Sequence, residues 1–457
     1  MKLLASLLVT LALATPALAQ TDDSRRKADR DLFERVVEIP TVEGRGNMGK
    51  LTTLLSAEFR KAGITHITIK KHGTTESMIV RWPASGTPTA KPILLMAHMD
   101  VVEAKRGDWK YDPFEFREED GYYLGRGTAD NKSGVVSIVQ SLARLKKSGF
   151  KPRRDLIVLF TGDEETAQDG ARLASTEWRS LVDAEYALNS DSGGGSLKKD
   201  GTPVGFGIQV AEKTYATYSL TATNRGGHSS GPRPDNAIYQ LANALSALEG
   251  YRFPQQLDDV SRAFFTSVAD QDKGALGETI KRWLADPNND EAADLVEANM
   301  SGLTRTRCVA TRLEGGHADN ALPQMAKATV NCRIFPGVDP KTVEASLRDV
   351  AGQHVVVAPT EAITSSAASP LREDVLNAYS RAIRARYPSA SVVPNMSAGA
   401  TDGLFFRAIG IPVYGVGAGW GYQGYSSGAH GLDERTPVQS FHERIDMWTA
   451  MLSELAG

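Results

Sequence analysis

Apolar residues recur along this chain in two rhythms, and the rhythm marks the elements. Lys27–Glu38 and Lys50–Ala62 repeat at helical intervals, the first stopping before Pro40 and the second at Gly63. Strands are predicted at Ile64–Lys70 and Ser77–Trp82. The short unbroken apolar runs Ile93–Ala97 and Leu156–Phe160 read as buried strands bounded by turn signals. Gly134–Lys147 returns to a helical repeat through Val135, Val136, Ile138, Val139, Leu142 and Leu145. A helix over Arg172–Leu181 and a strand at Tyr186–Leu188 follow. Strands alternating with helices predict an α/β domain with a mostly parallel sheet, whose ligands gather beyond the carboxyl ends of its strands.

The pattern changes near Glu212. Tyr215–Thr223 alternates, with Tyr215, Thr217 and Ser219 against Ala216, Tyr218 and Leu220, as a half-exposed strand does. A helix at Asn236–Leu248 precedes a polar, mostly helical insertion running to about Asn299. Strands at Arg305–Leu313 and Ala326–Phe335, a helix at Pro340–Ala351 and a strand at His354–Ala358 complete an α+β unit. The α/β pattern then resumes with helices at Arg372–Tyr387 and Asp402–Ile409, a strand at Pro412–Val416 and a closing helix at Val438–Leu455. The expected division is residues 20–212 and 362–457 for one domain, with 213–361 inserted into it.

Composition narrows the function. Of 457 residues, 41% are apolar and 23% charged, which excludes wholesale disorder, and a net charge of −3 points away from nucleic acid as a partner. The N-terminus differs: Lys2, the apolar run Leu3–Leu13 and the small-residue pattern Ala17-Leu18-Ala19 before Gln20 read as a secretory signal peptide over 1–19. Its apolar core is too short for the roughly 20 residues of a spanning helix, so no stable membrane anchor is expected. The polar residues 20–26 are expected to form a short unstructured lead. Cys308 and Cys332 lie in neighbouring strand-like stretches; pairing of the strands would allow a disulfide, and two separate buried thiols are the alternative.

The chemistry centres on Thr161-Gly162-Asp163-Glu164-Glu165-Thr166, at the end of a buried strand. Adjacent glutamates there repel one another and lose hydration unless a cation uses them. A metal ion bound by one, with the other beside it as a base, resolves the cost. Other candidates fall at comparable places. His98-Met99-Asp100 ends the strand 93–97, where Asp100 can hold the second ring nitrogen of His98. Asp130 follows the glycine-bearing loop Gly125–Ala129, Asp191 ends the strand near 188, and His430 sits in a glycine-rich loop. Two His and three carboxylates suit a pair of divalent ions, zinc foremost and manganese or cobalt as alternatives, with one carboxylate bridging.

Taken in order, these motifs, with Val37-Glu38-Ile39-Pro40-Thr41, Trp109, Pro113-Phe114, Asp402-Gly403 and Gly410-Ile411-Pro412, resemble the co-catalytic di-zinc exopeptidases and amidohydrolases. That family includes glutamate carboxypeptidase, carnosinase-type dipeptidases, aminoacylase and succinyl-diaminopimelate desuccinylase. The resemblance implies an α/β catalytic domain with a mostly parallel sheet and an inserted α+β lid over 213–361 that serves dimerisation. It implies that His98 and Asp191 hold one ion, Glu165 and His430 the other, and Asp130 bridges them. Glu164 would be the general base and Asp100 would orient His98. A cis peptide at Asp130–Asn131 is also implied. In the lid, His228 of Gly227-His228-Ser229-Ser230 would reach a neighbouring subunit's site, and Asn320 and Arg333 would bind the substrate carboxylate. Tyr215–Thr223 and Asn236–Leu248 are the elements expected to make the lid-to-lid contact of a homodimer. The expected activity is hydrolysis of small peptides next to a free carboxylate, by an exported carboxypeptidase or dipeptidase. An N-acyl amino acid deacylase on the same centre is the alternative, and a non-catalytic binding protein on this fold the rival from another class. Asp191 stands where many relatives have Glu, and Asn131 where an acid is frequent.

Overall fold

The computed structural model describes residues 15–300 and 302–457, with side chains from Asp23 onward. The apolar core of the signal segment, Leu3–Leu13, lies outside the described residues. The stretch 20–26 is not an unstructured lead: a helix runs unbroken over Thr15–Val37. No residue after Pro16 interrupts it, and Leu32, Phe33, Val36 and Val37 bury its far end in the core.

Among the described residues a ten-stranded sheet forms the main body. Its four central strands, Leu156–Thr161, Ile93–His98, Tyr186–Asn189 and Val413–Gly415, run parallel. The apolar runs Ile93–His98 and Leu156–Thr161 are buried along their whole length, because helices cover both faces. Lys132–Lys147 and Val438–Leu455 pack one face through Val135, Val139, Ile445 and Trp448; Asp169–Ser175 and Gly403–Ala408 pack the other through Ala171, Ala174 and Phe406. His98 lies opposite Thr161 in register, so both strands end together on the edge that carries the acidic motif. The helix expected over Arg172–Leu181 is two short ones, Asp169–Ser175 and Arg179–Val182.

The inserted domain is a four-stranded antiparallel sheet in the order Arg307–Gly315, Met325–Ile334, Thr214–Thr223, Val355–Pro359. The alternation in Thr214–Thr223 is real: Ala216, Tyr218, Leu220 and Ala222 are buried under Leu241, Leu248, Val343 and Leu347 of two helices, Ala237–Gly250 and Pro340–Ala351. Cys308 faces Cys332 across two strands and the pair is disulfide-bonded, which closes the alternative of separate thiols. Thr214–Thr223, one of the two elements expected at a lid-to-lid contact, is flanked by strands on both sides. The free edge beside the disulfide is Arg307–Gly315, with Val309 and Leu313 exposed. The insertion folds as the helices Asp259–Gln271, Ala275–Ala285 and Asp290–Asn299 around Phe265, Ile280, Trp283 and Val296. Its first helix packs against the strand Val392–Ser397 of the main sheet.

Candidate metal centre

Five segments far apart in sequence converge at the carboxyl ends of the central strands. His98 Nε2 lies 2.8 Å from one Asp130 oxygen and 3.3 Å from Asp191. His430 Nε2 lies 3.2 Å from the other Asp130 oxygen and 2.8 Å from Glu165. Asp130 thus turns one oxygen to each imidazole, the disposition of a bridging carboxylate. His98, Glu164 and Glu165 also present ligand atoms within 4.8 Å of one another.

The site carries excess negative charge in a poorly hydrated place. Burial holds the Glu164 carboxyl well above its ordinary range, with Asp191, Asp402 and Glu165 adding to the rise. Burial, with Asp130, pushes Glu165 up to about 7. Asp130 goes the other way: burial opposes its charge, but hydrogen bonds with His430 and His98 hold it below the usual range. Hydrogen bonding to Asp130 lifts His430 to about 9. Burial disfavours a charged His98, yet Asp191, Asp100 and Asp130 together raise it. Such a set, two imidazoles among carboxylates that cannot all ionise alone, fits two divalent cations.

Neighbouring groups fix the donors. The His98 Nδ1–H donates to the Asp100 carbonyl at 3.1 Å, which leaves Nε2 facing Asp130 and Asp191. The Asp100 carboxylate lies 3.5 Å from that ring and accepts the Glu164 and Glu165 backbone N–H groups at 3.1 and 2.9 Å. It therefore sets the acidic loop as well as the histidine. Asn131, where an acid is frequent, donates through Nδ2 to Asp191 at 2.7 Å and accepts from Ser190 Oγ at 3.0 Å. The Asp130–Asn131 peptide is cis. Asp163, next to Glu164, accepts the backbone N–H groups of Asp169 and Gly170 and pins the loop to the next helix.

Glu434 was not singled out by sequence. It is fully buried and accepts from Arg126 Nη1, Gly127 N, Ala129 N and Asp130 N at 2.7, 2.9, 2.7 and 2.9 Å. It therefore clamps the loop that presents Asp130. Gly127, at φ 92°, leaves room for the Lys132 side chain, which a Cβ would meet at 2.8 Å. Lys132 Nζ donates to Ile39 O at 2.6 Å, and burial pulls the ammonium down to about 7. The signals available were the acid four residues after His430 and the lysine two after Asp130.

The lid candidates lie elsewhere in the chain. His228 and Asn320 neighbour each other where Gly227–His228 pairs with Ala321–Leu322, and both are exposed. Ser230 Oγ lies 2.8 Å from His228 Nδ1. Arg333 stacks over Tyr215 at 4.8 Å and, with Lys213 and Arg305, lines a cavity of about 760 Å³ at the root of the lid. Within one chain, His228 belongs to none of the grouped metal-ligand candidates.

The fold and this cluster define a metal-dependent hydrolase. The chain belongs to the peptidase family M20/M25/M40, whose model matches residues 94–454. It is 28% identical over 451 residues to the human N-fatty-acyl-amino acid synthase/hydrolase PM20D1, covering 93% of this chain and 88% of that one. It is 26% identical to mouse aminoacylase-1, covering 93% and 95%. Among solved structures, the M20 metallo-carboxypeptidase Sso-CP2 of Sulfolobus solfataricus superposes with a TM-score of 0.68 at 20% identity, covering 93% of this chain and 98% of that one.

Proposed function

We propose that this chain is an exported two-metal amidohydrolase. It cleaves the amide that joins an acyl group to an amino acid with a free carboxylate. The observation that carries the reading is the bridging disposition of Asp130 between His98 and His430, with Glu164 beside it. His98 and Asp191 would hold one divalent ion, Glu165 and His430 the other, and Asp130 both. Zinc suits these donors best. Bound ions would polarise the scissile carbonyl and ease the deprotonation of water. Glu164 accepts that proton and passes it to the leaving amine; its burial keeps it a strong enough base for the task. Arg333 supplies a guanidinium for the substrate carboxylate, and its place beside Lys213 and Arg305 favours an anion there.

Export is supported by the signal pattern of residues 1–19 and by the disulfide, which an oxidising compartment maintains. Among the described residues no helix is long and apolar enough to cross a membrane. His228 stabilises the oxyanion from a second copy of the chain, docked through the lid edge Arg307–Gly315, since it stands exposed and outside its own chain's metal-ligand cluster.

Two experiments test this. Zinc-loaded protein should hydrolyse members of a panel of dipeptides and N-acyl amino acids, and chelation should abolish turnover; full activity without bound metal would end the reading. Mixing inactive His228→Ala chains with inactive Glu164→Gln chains should restore part of the activity. No recovery after verified subunit exchange would remove His228 from the neighbour's site.

A further inference from the structure

The three-helix insertion lies inside the lid in sequence but not in packing. Its helices, Asp259–Gln271, Ala275–Ala285 and Asp290–Asn299, pack on one another, and the first packs on Val392–Ser397, the neighbour of Pro203–Glu212 in the main sheet. Val260 of that helix is buried in the core of the catalytic domain, and Gln271 Nε2 lies 3.5 Å from Ser391 Oγ. Among the described elements, the strands and helices of the lid pack closely on one another alone. The lid's core stops at Phe253 and resumes at Cys308, whereas the insertion's own core runs from Leu257 to Leu303. The two cores share no side chain.

The chain passes between these bodies through a narrow tether. Gln255 pairs with Arg305 in an isolated antiparallel bridge, and Gln256 N donates to Thr304 O at 2.8 Å. Thr304 is tied back to the insertion, because Glu297 accepts its N–H at 3.2 Å and that of Gly302 at 2.9 Å. Thr306 already belongs to the lid: its hydroxyl accepts from Phe335 N at 3.0 Å. The change of body therefore falls at Arg305. The first crossing into the lid meets it there. Lys213 is fully buried; its N–H donates to Ser397 O at 3.0 Å, and its ammonium donates to Arg305 O. Glu212, just before it, is held in the catalytic domain by Thr401 Oγ1 at 2.9 Å and Gln209 Nε2 at 3.1 Å, with Arg407 at 2.9 Å. Thr214, just after it, pairs with Ile334 of the lid.

We infer that the insertion is mechanically part of the catalytic domain, and that the lid turns against both about the Lys213–Arg305 hydrogen bond. A segment moves with the surface it buries, and this one buries its first helix against the main sheet. The Arg307–Glu297 ion pair, at 2.8 Å, does cross the joint, but it lies two residues from the pivot, where turning displaces it least. The cavity of about 760 Å³ at the lid root spans the joint, with Leu245, Leu248 and Arg333 on the moving side and Gly302, Arg305 and Ala398 on the stationary side. It gives the lid room to turn. His228, Asn320 and Arg333 all ride on the moving unit, so the insertion acts as a fixed abutment beside which they swing. This division holds whatever the metal centre cleaves.

Both cysteines of the chain are joined in the disulfide, so nitroxide labels can be placed on new cysteines alone. Three exposed positions serve: Ala345→Cys in the lid, Lys281→Cys in the insertion and Ser453→Cys in the closing helix. Double electron–electron resonance on the zinc-loaded full chain, two labels at a time, should give a narrow distance distribution for 281–453. Both pairs that include 345 should be about twice as broad or more. A narrow 345–281 pair with a broad 281–453 pair would place the insertion on the lid. Three narrow distributions would show a lid that does not turn, and three broad ones an insertion fixed to neither body. Each of these results overturns the inference. Lys213→Met should broaden both pairs that include 345 and leave 281–453 unchanged; no broadening would remove the pivot.

Discussion

Glu434→Gln should loosen the metal centre without touching a ligand. The carboxylate accepts four hydrogen bonds, two at each oxygen, and is fully buried. A glutamine has one oxygen, so its NH2 must face either Arg126 and Gly127 or Ala129 and Asp130, and one pair of buried donors goes unmet. Each unmet donor costs about 1–3 kcal/mol. Arg126, with a side chain 3% exposed, also loses its counter-charge, a loss of about 3–5 kcal/mol for a buried pair. These costs overlap because they fall on one network, so a net loss of about 3–5 kcal/mol is expected. The loop that presents Asp130 would relax, and metal affinity should fall about 10- to 100-fold, the usual effect of losing an outer partner of a ligand. Urea unfolding of the metal-free protein reads the first quantity, and competition against a chelating dye reads the second. A variant with the parent's unfolding midpoint and metal affinity within about twofold would refute the clamp.

Three further outcomes are expected. Glu164→Gln should lower kcat about 100-fold or more and keep the metals, since it removes a proton acceptor and no ligand, whereas Glu165→Gln should weaken metal binding too; near-parental kcat for Glu164→Gln would refute the base. In the metal-free protein burial holds the Glu164 carboxyl above its ordinary range, so on acidification it should take up its proton at a higher pH than an exposed glutamate does, read by carboxyl infrared or NMR difference against Glu164→Gln; a titration at or below the ordinary glutamate range would contradict this. Removing the Cys308–Cys332 disulfide, which spans a sequence separation of 24, should lower stability by about 3 kcal/mol, read as a shift of the unfolding curve under reductant; coincident curves would count against it.

The parts of this fold that were legible in sequence are those whose burial is uniform or strictly periodic. Ile93–His98 and Leu156–Thr161 are covered on both faces, so they read as unbroken apolar runs. Thr214–Thr223 is covered on one face and reads as alternation. Pro203–Glu212 did not show, although it lies inside the main sheet. Its Gly205 and Gly207 look like turn residues, yet a Cβ on Gly207 would come within 2.3 Å of the Asn395 side chain from the neighbouring strand, so close packing rather than a turn demands the glycine. In the site, the candidate ligands were legible because strand ends and glycine loops announce them. Glu434 was not, because its partners Arg126 to Asp130 lie some three hundred positions away and only the folded chain brings them together. The same holds for Asn131, whose amide contacts Asp191 only once the start of the helix Lys132–Lys147 lies beside the end of the strand Tyr186–Asn189.

The order in which the chain leaves the ribosome bears on when this enzyme becomes an enzyme. Val413–Gly415 is an interior strand, inserted between Tyr186–Asn189 and Pro203–Glu212, which are both made more than two hundred residues earlier. His430 comes later still. Until that last segment arrives, the sheet has a gap and Asp130 faces only one of its two imidazoles. A growing or truncated chain can thus gather four of the five candidate ligands but not the second histidine. Hydrolytic competence in this way waits on the segment that carries His430.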